Sequence, residues 1–180
     1  MPETTKIKEE IEIPNGVEVS LEEKMIHVKG EKGSLSKMLS HPKIDLKVKN
    51  NIVEISCSKP PHRKEKALMG TFAAHIRNMI KGVTEGFEYK MKTVYAHFPV
   101  KTSVEGNEFV IQNFLGERSP RKAKILENVK VETMGDNVTV SGIDKDKVGQ
   151  TVANIERATR VKHRDIRVFQ DGVYLISKRG

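Results

Sequence analysis

Two stretches gather the groups of this chain best suited to holding an anion. In GERSPRKAK (Gly116–Lys124), Arg118, Arg121, Lys122 and Lys124 stand against Glu117, a net charge of +3. In RATRVKHRDIR (Arg157–Arg167), Arg157, Arg160, Lys162, Arg164 and Arg167 stand against Asp165, a net charge of +4. An arginine fork gives two parallel hydrogen bonds to phosphate and stacks on bases, whereas lysine is a hydrated point charge. Cations at a helix C-terminus are favoured without any partner, but density and arginine content point to polyanion binding. Gly116, Ser119 and Pro120 make the first stretch a loop, expected to be mobile and to follow a phosphate backbone closely.

No arrangement of residues suggests catalysis. His27, His41, His62, His75, His97 and His163 are scattered and form no HxH or HExxH set. No GxxxxGK[ST] loop and no GxSxG turn occur, and Glu22-Glu23 falls in a polar turn. His75 is expected at the edge of a core. Gly30-Glu31-Lys32-Gly33 matches the GxxG loop that clamps nucleotides between two helices. Here it follows a strand-like segment and its repeat counterpart lacks the second glycine, so a plain turn is expected. Cys57 is the single cysteine, which leaves no intrachain disulfide and no multi-thiolate metal site. The chain is expected to be a binding protein without enzymatic activity, metal or cofactor.

Composition agrees. The 180 residues carry 32 Lys+Arg against 24 Asp+Glu, a net charge of +8 that favours an acidic partner, nucleic acid above all. Residues 1–94 contain only Arg63 and Arg77, whereas residues 95–180 contain seven arginines, so the later half is expected to be the main binding half. Three Tyr, six Phe and no Trp argue for recognition of folded RNA by shape and phosphate rather than by base stacking. No window reaches membrane-spanning length and the N-terminus has no apolar signal core, so a soluble, intracellular protein is expected.

These residues must be positioned by a repeated unit. GTFAAHI (Gly70–Ile76) matches GQTVANI (Gly149–Ile155), and IDLKVKNNIVEIS (Ile44–Ser56) matches VKVETMGDNVTVS (Val129–Ser141). GEKGSLSK (Gly30–Lys37) matches GERSPRKA (Gly116–Ala123), and Ile13-Pro14 matches Phe98-Pro99. In chain order the offsets are 85, 86, 85 and 79 residues, the sign of a duplicated domain. Strands are expected at Val17–Leu21, Met25–Lys29, on either side of an Asn50-Asn51 turn, and at Phe87–Val94. Hairpins are expected over Lys101–Phe114 with a turn at Glu105–Asn107, and over Val129–Val140 with a turn at Gly135-Asp136. A further hairpin is expected over Ile166–Ile176, turning at Asp171-Gly172. Ser58–Lys66 reads as a loop. Helices are expected from about Glu65 to Lys81, stopped by Gly82, and from an Asp144 cap to about Arg160. The fold class is α+β: two duplicated domains, residues 1–94 and 95–180, each with small antiparallel sheets and one helix around a single core.

Three long segments carry a resemblance over nearly the whole chain. NMIKGVTEGFEYKMKTVYAHFPV (Asn78–Val100), IQNFLGERSPRK (Ile111–Lys122) and DIRVFQDGVYLI (Asp165–Ile176) resemble the universal large-subunit ribosomal protein family L-six, in its archaeal and eukaryotic branch. Pro60-Pro61, and the absence of an acidic tail after Gly180, favour the archaeal type. The resemblance implies a cytoplasmic ribosomal component that binds large-subunit rRNA near the sarcin–ricin loop and the factor-binding region. It also implies neighbouring ribosomal proteins, transient contact with translation factors, and no membrane or small-molecule substrate. It assigns rRNA contact to Gly116, Arg118, Arg121 and Lys122, and to Arg160, Lys162, Arg164 and Arg167. Lys124 and Arg157 join them on charge alone. The alternative is an RNA-binding regulator of the same fold outside the ribosome.

Overall fold

The computed structural model describes residues 8–49, 51–57 and 62–180. The chain divides into two compact units, Met1–Glu85 and Gly86–Gly180. In the first, β1 (Lys8–Glu12), β2 (Glu18–Glu22), β3 (Met25–Gly30), β4 (Gly33–Met38), β5 (Ile44–Lys49) and β6 (Ile52–Cys57) precede helix α1 (Arg63–Thr84). They form two antiparallel three-stranded sheets, in the orders β1-β6-β5 and β2-β3-β4. Along α1 the apolar residues recur every three or four positions, so one stripe of the helix is buried. Met69, Phe72, Ala73, Ile76, Met79, Ile80 and Val83 make that stripe and close over Ile26, Val28, Val53 and Ile55. Gly30 permits this closure: a Cβ there would lie 2.7 Å from Val83 Cγ2 and 2.9 Å from the Val83 carbonyl oxygen.

The second unit repeats the order. It contains β7 (Phe87–Val94), β8 (Lys101–Glu105), β9 (Glu108–Gln112), a 3-10 turn (Phe114–Gly116), β10 (Arg121–Lys124), β11 (Val129–Met134), β12 (Asn137–Gly142) and α2 (Lys145–Ala158). Its sheet β8-β9-β10 corresponds to β2-β3-β4, and β7-β12-β11 corresponds to β1-β6-β5. One strand is added: β13 (Gly172–Arg179) pairs with the outer edge of β7, giving a four-stranded sheet. Val148, Val152 and Ile155 of α2 are buried in one core with this sheet, and Thr151, also buried, accepts from the Leu126 amide at 3.3 Å. Asp144 caps α2, its carboxylate accepting from the Asp146 amide at 2.9 Å.

The α+β duplication, the turns at 105–107 and 135–136, and the Asp144 cap are as expected. Four expectations are corrected. The division falls after Glu85 rather than after Val94, because β7 lies between β12 and β13 in the second unit's sheet. Helix α1 runs from Arg63 to Thr84, longer at both ends, and α2 stops at Ala158, short of Arg160. Strand β4 (Gly33–Met38) follows the Gly30–Gly33 turn, where no strand was expected. Ile166–Ile176 is not a hairpin: Gly172 is not left-handed, Asp171 is buried, and β13 pairs with β7. Asn50 and Ser58–Pro61 lie outside the described residues.

Candidate nucleic-acid interface

The first basic stretch is fixed by apolar anchors. Phe114 and Leu115 are buried, and the chain turns around them through left-handed Asn113, Leu115 and Gly116. Asn113 Nδ2 donates to the Pro99 carbonyl at 3.1 Å. Gly116, at φ +77, lies where a Cβ would be 3.2 Å from the Phe98 ring, so its part is conformational. From Arg121 the chain becomes β10, paired to β9 with Arg121 opposite Ile111. The expected mobile loop is therefore a strand over its second half.

Arg121 is the residue that joins the two basic stretches. Its Nε and Nη2 make a two-pronged pair with Glu117 Oε2 and Oε1 at 2.8 and 2.6 Å. Nη1 donates to the carbonyls of Ala158 at 2.9 Å and Arg160 at 3.0 Å. The last carbonyls of a helix lack partners within it and carry partial negative charge, so a guanidinium there is doubly favoured. The fork also lies over the Phe114 ring, 4.3 Å from its centre. Hydrogen bonding from Arg121, with the nearby charge of Arg164 adding to it, holds the Glu117 carboxyl below its usual range, against the opposing pull of burial. Arg121 thus ties the 116–124 segment to the end of α2, and its donors are turned inward.

Past α2 the chain forms a hook from Arg160 to Asp171, closed at its base by Thr159. The Thr159 hydroxyl is buried, accepts from the Val173 amide at 3.1 Å and donates back to the Ile155 carbonyl. Glu156 Oε1 accepts from the Leu175 amide at 3.1 Å, beside the irregularity in β13. At the tip, Asp165 Oδ1 accepts from the Arg167 amide at 2.9 Å, and the Asp165 carbonyl receives Val168 and Phe169 amides. This side-chain-nucleated turn replaces the expected strand. The Arg167 side chain and amide both stabilise the Asp165 carboxylate, which lowers its pKa.

The ten sequence-predicted residues therefore separate. Arg118, Arg157, Arg160 and Lys162 are exposed and have no side-chain partner among the described residues. Arg164 lies over the Phe169 ring at 4.8 Å, and Arg167 is paired with Asp165 at 3.1 Å. Gly116 and Arg121 are positioning residues. Lys122 and Lys124 point to the opposite side of β10 from Arg121, since successive strand residues alternate. Lys122 there is paired with Glu108 at 2.7 Å. Ile166 and Val168, 69% and 65% exposed, add apolar surface to the hook. Thr159, Glu156 and Phe114 were not singled out from sequence. Their roles depend on acceptors and rings brought close only by folding.

Other candidates resolve into structure. The Gly30–Gly33 segment is a hairpin turn, with the Lys32 amide donating to the Val83 carbonyl and its ammonium to the Glu85 carbonyl. His75 is half-buried, with Nδ1 3.1 Å from Lys37 Nζ. Among the described residues no three His, Cys, Asp or Glu side chains gather as metal ligands, and no helix is long and apolar enough to cross a membrane.

Comparison with known proteins follows the duplication. The family model described as Ribosomal protein L6 matches residues 13–86 and again 98–172, one match in each repeat. The chain is 55% identical over 174 residues to the large ribosomal subunit protein uL6 of Methanobrevibacter smithii, covering 96% of both chains. It is 49% identical over 180 residues to uL6 of Methanococcus vannielii, covering 100% of this chain and 98% of that one. It is 48% identical over 169 residues to uL6 of Methanothrix thermoacetophila, with 94% and 96% covered.

Proposed function

Because this chain belongs to the ribosomal protein L6 family, in its archaeal form, and is thereby a structural, non-enzymatic constituent of the large ribosomal subunit, we propose that it grips large-subunit rRNA through the surface that Arg121 assembles. The observation carrying this reading is the Arg121 bridge from Glu117 to the carbonyls of Ala158 and Arg160. It makes one surface of two basic stretches far apart in sequence. Arg118, Arg157, Arg160, Lys162 and Arg164 are the phosphate-contacting set, with Arg167 at the tip. Each contact displaces condensed counterions, and this supplies affinity without base readout. Ile166 and Val168 cover ribose and base edges beside them. The proposed rRNA target of this surface is the sarcin–ricin loop and the factor-binding region, with transient contact to translation factors, a reading supported by the resemblance alone.

The test is a binding titration against a transcript containing the sarcin–ricin loop, repeated over a range of salt. Five phosphate contacts give a log–log slope of about −4 to −5. Replacing Arg118, Arg160 and Lys162 together by Ala reduces its magnitude by about 2 to 3 units. An unchanged slope removes these residues from the interface. Sedimentation of cell extract in moderately high salt tests the ribosomal placement itself: the chain travels with the large subunit, whereas a free regulator would not.

A further inference from the structure

The duplication leaves one position filled in the second unit and open in the first. In the second unit β13 covers the outer edge of β7, with Leu175 opposite Met91 and Val173 opposite Thr93. The counterpart of β7 is β1, where Ile11 pairs with Val53 as Met91 pairs with Val138. Among the described residues no strand lies beyond β1. A groove of about 430 Å³ runs instead between this edge and the last turns of α1, lined by Ile11, Pro14, Ile80 and Thr84 with Arg77 and Lys81 on the helix side. Arg77 is held there by Glu9 at 2.8 Å.

We propose that the β1 edge takes an extended, basic segment of another protein as a fourth strand, antiparallel to β1, in the place that β13 fills in the second unit. An open edge offers a row of unpaired backbone groups, and strand addition uses them while side-chain pockets set specificity. The occupant is indicated by charge. On the sheet face away from the helix, β7 carries Lys90 and Lys92, whereas β1 carries Glu10 and Glu12 at the equivalent register positions. Both glutamates are exposed and form no salt bridge among the described residues; Lys8, on the same face, feels the charge of Glu10 but is bound to Glu54 at 2.7 Å. The incoming strand therefore places Lys or Arg opposite Glu10 and Glu12, and alternate apolar side chains opposite Ile11 and against Ile80. A second copy of this chain pairing through β1 would set rows of glutamate against each other, which is unfavourable. RNA is repelled by the same carboxylates.

The experiment uses the full-length chain, labelled for amide chemical-shift mapping, and two synthetic peptides. One has the β13 sequence Gly172–Arg179; the other has the same sequence with Tyr174→Lys and Ser177→Lys, the positions that would face Glu12 and Glu10. The lysine-bearing peptide is expected to shift β1 and the C-terminal half of α1 saturably and to bind at least tenfold tighter than the native sequence. Glu10→Lys with Glu12→Lys in the protein, both at exposed positions, reverses that order. Equal binding of both peptides, no saturable shift up to 1 mM, or shifts confined to the Arg118–Arg167 surface would overturn the proposal. Concentration-dependent β1 shifts without peptide would also overturn it, by making a second copy the occupant. A transcript containing the sarcin–ricin loop is expected to leave the β1 shifts unchanged, so this result and the rRNA titration fail independently.

Discussion

Arg121→Ala separates a clamp from a phosphate contact. The side chain is 21% exposed and its partner Glu117 41% exposed. Hydrogen bonds to a charged group contribute ~1.5–3 kcal/mol when well buried. Here water rebinds the freed carbonyls and screens the carboxylate, so the ion pair itself supplies about 1 kcal/mol or less. The ring contact with Phe114 adds ~0.5–1 kcal/mol. Because these contributions share one side chain and do not fully add, the substitution costs the second unit about 2–3 kcal/mol. For a unit spanning Gly86–Gly180, that lowers its midpoint by roughly 10–20 °C. Calorimetry of the full chain, with amide exchange followed over residues 113–124 and 155–173, measures both the size and the place of the loss. Arg121→Lys keeps the charge but lacks the fork, and is expected to recover little of the stability. Glu117→Ala lowers the same transition. Arg118→Ala leaves stability unchanged and reduces the magnitude of the RNA salt slope by about one unit. A clamp role for Arg121 is refuted if Arg121→Ala keeps its midpoint and reduces the slope as Arg118→Ala does. An RNA affinity raised by Glu117→Ala would likewise make Arg121 a contact, freed by loss of its carboxylate.

Three further outcomes follow from single contacts. Thr159→Val keeps the branched shape but strands the buried Val173 amide, costing ~1–3 kcal/mol; amide exchange at Val173 accelerates, and an unaltered rate would show that the hydroxyl does not close the hook. Gly30→Ala drives a methyl into Val83 and destabilises the first unit by about 1–3 kcal/mol, read as a lower midpoint for that unit with the second unchanged. Lys43 Nζ donates to Glu65 Oε1 at 2.7 Å, and this bond, reinforced by the backbone at the start of α1, lowers the Glu65 pKa to about 2. A folded-state value below the unfolded one gives stability that is complete above about pH 4.5 and lost as pH falls towards 2. Midpoints of the parent chain and Glu65→Gln are therefore expected to differ at pH 6 and to converge near pH 2; a constant gap would contradict the assignment.

Features that depend on neighbours along the chain were legible in residue order. Alternation set β2, β3, β5, β11 and β12, three- and four-residue spacing set the buried faces of both helices, and Asp144 announced the start of α2. The matching segments determined the duplication. Charge alone marked both basic stretches. The remaining features arose from packing between distant segments. Whether Ile166–Ile176 folds on itself or sends its second half to β7 depends on an edge some eighty residues earlier, and period-two alternation is the same in either case. Strand β7 belongs to the second unit for the same reason. Arg121 and Arg118 are alike in composition and setting. One turns inward because the carbonyls of Ala158 and Arg160 arrive 37 and 39 residues later in sequence but within 3.0 Å in space; the other meets no such acceptors among the described residues and is exposed. Local periodicity is a property of the chain, whereas the partner of a strand edge or a guanidinium is a property of the packed fold.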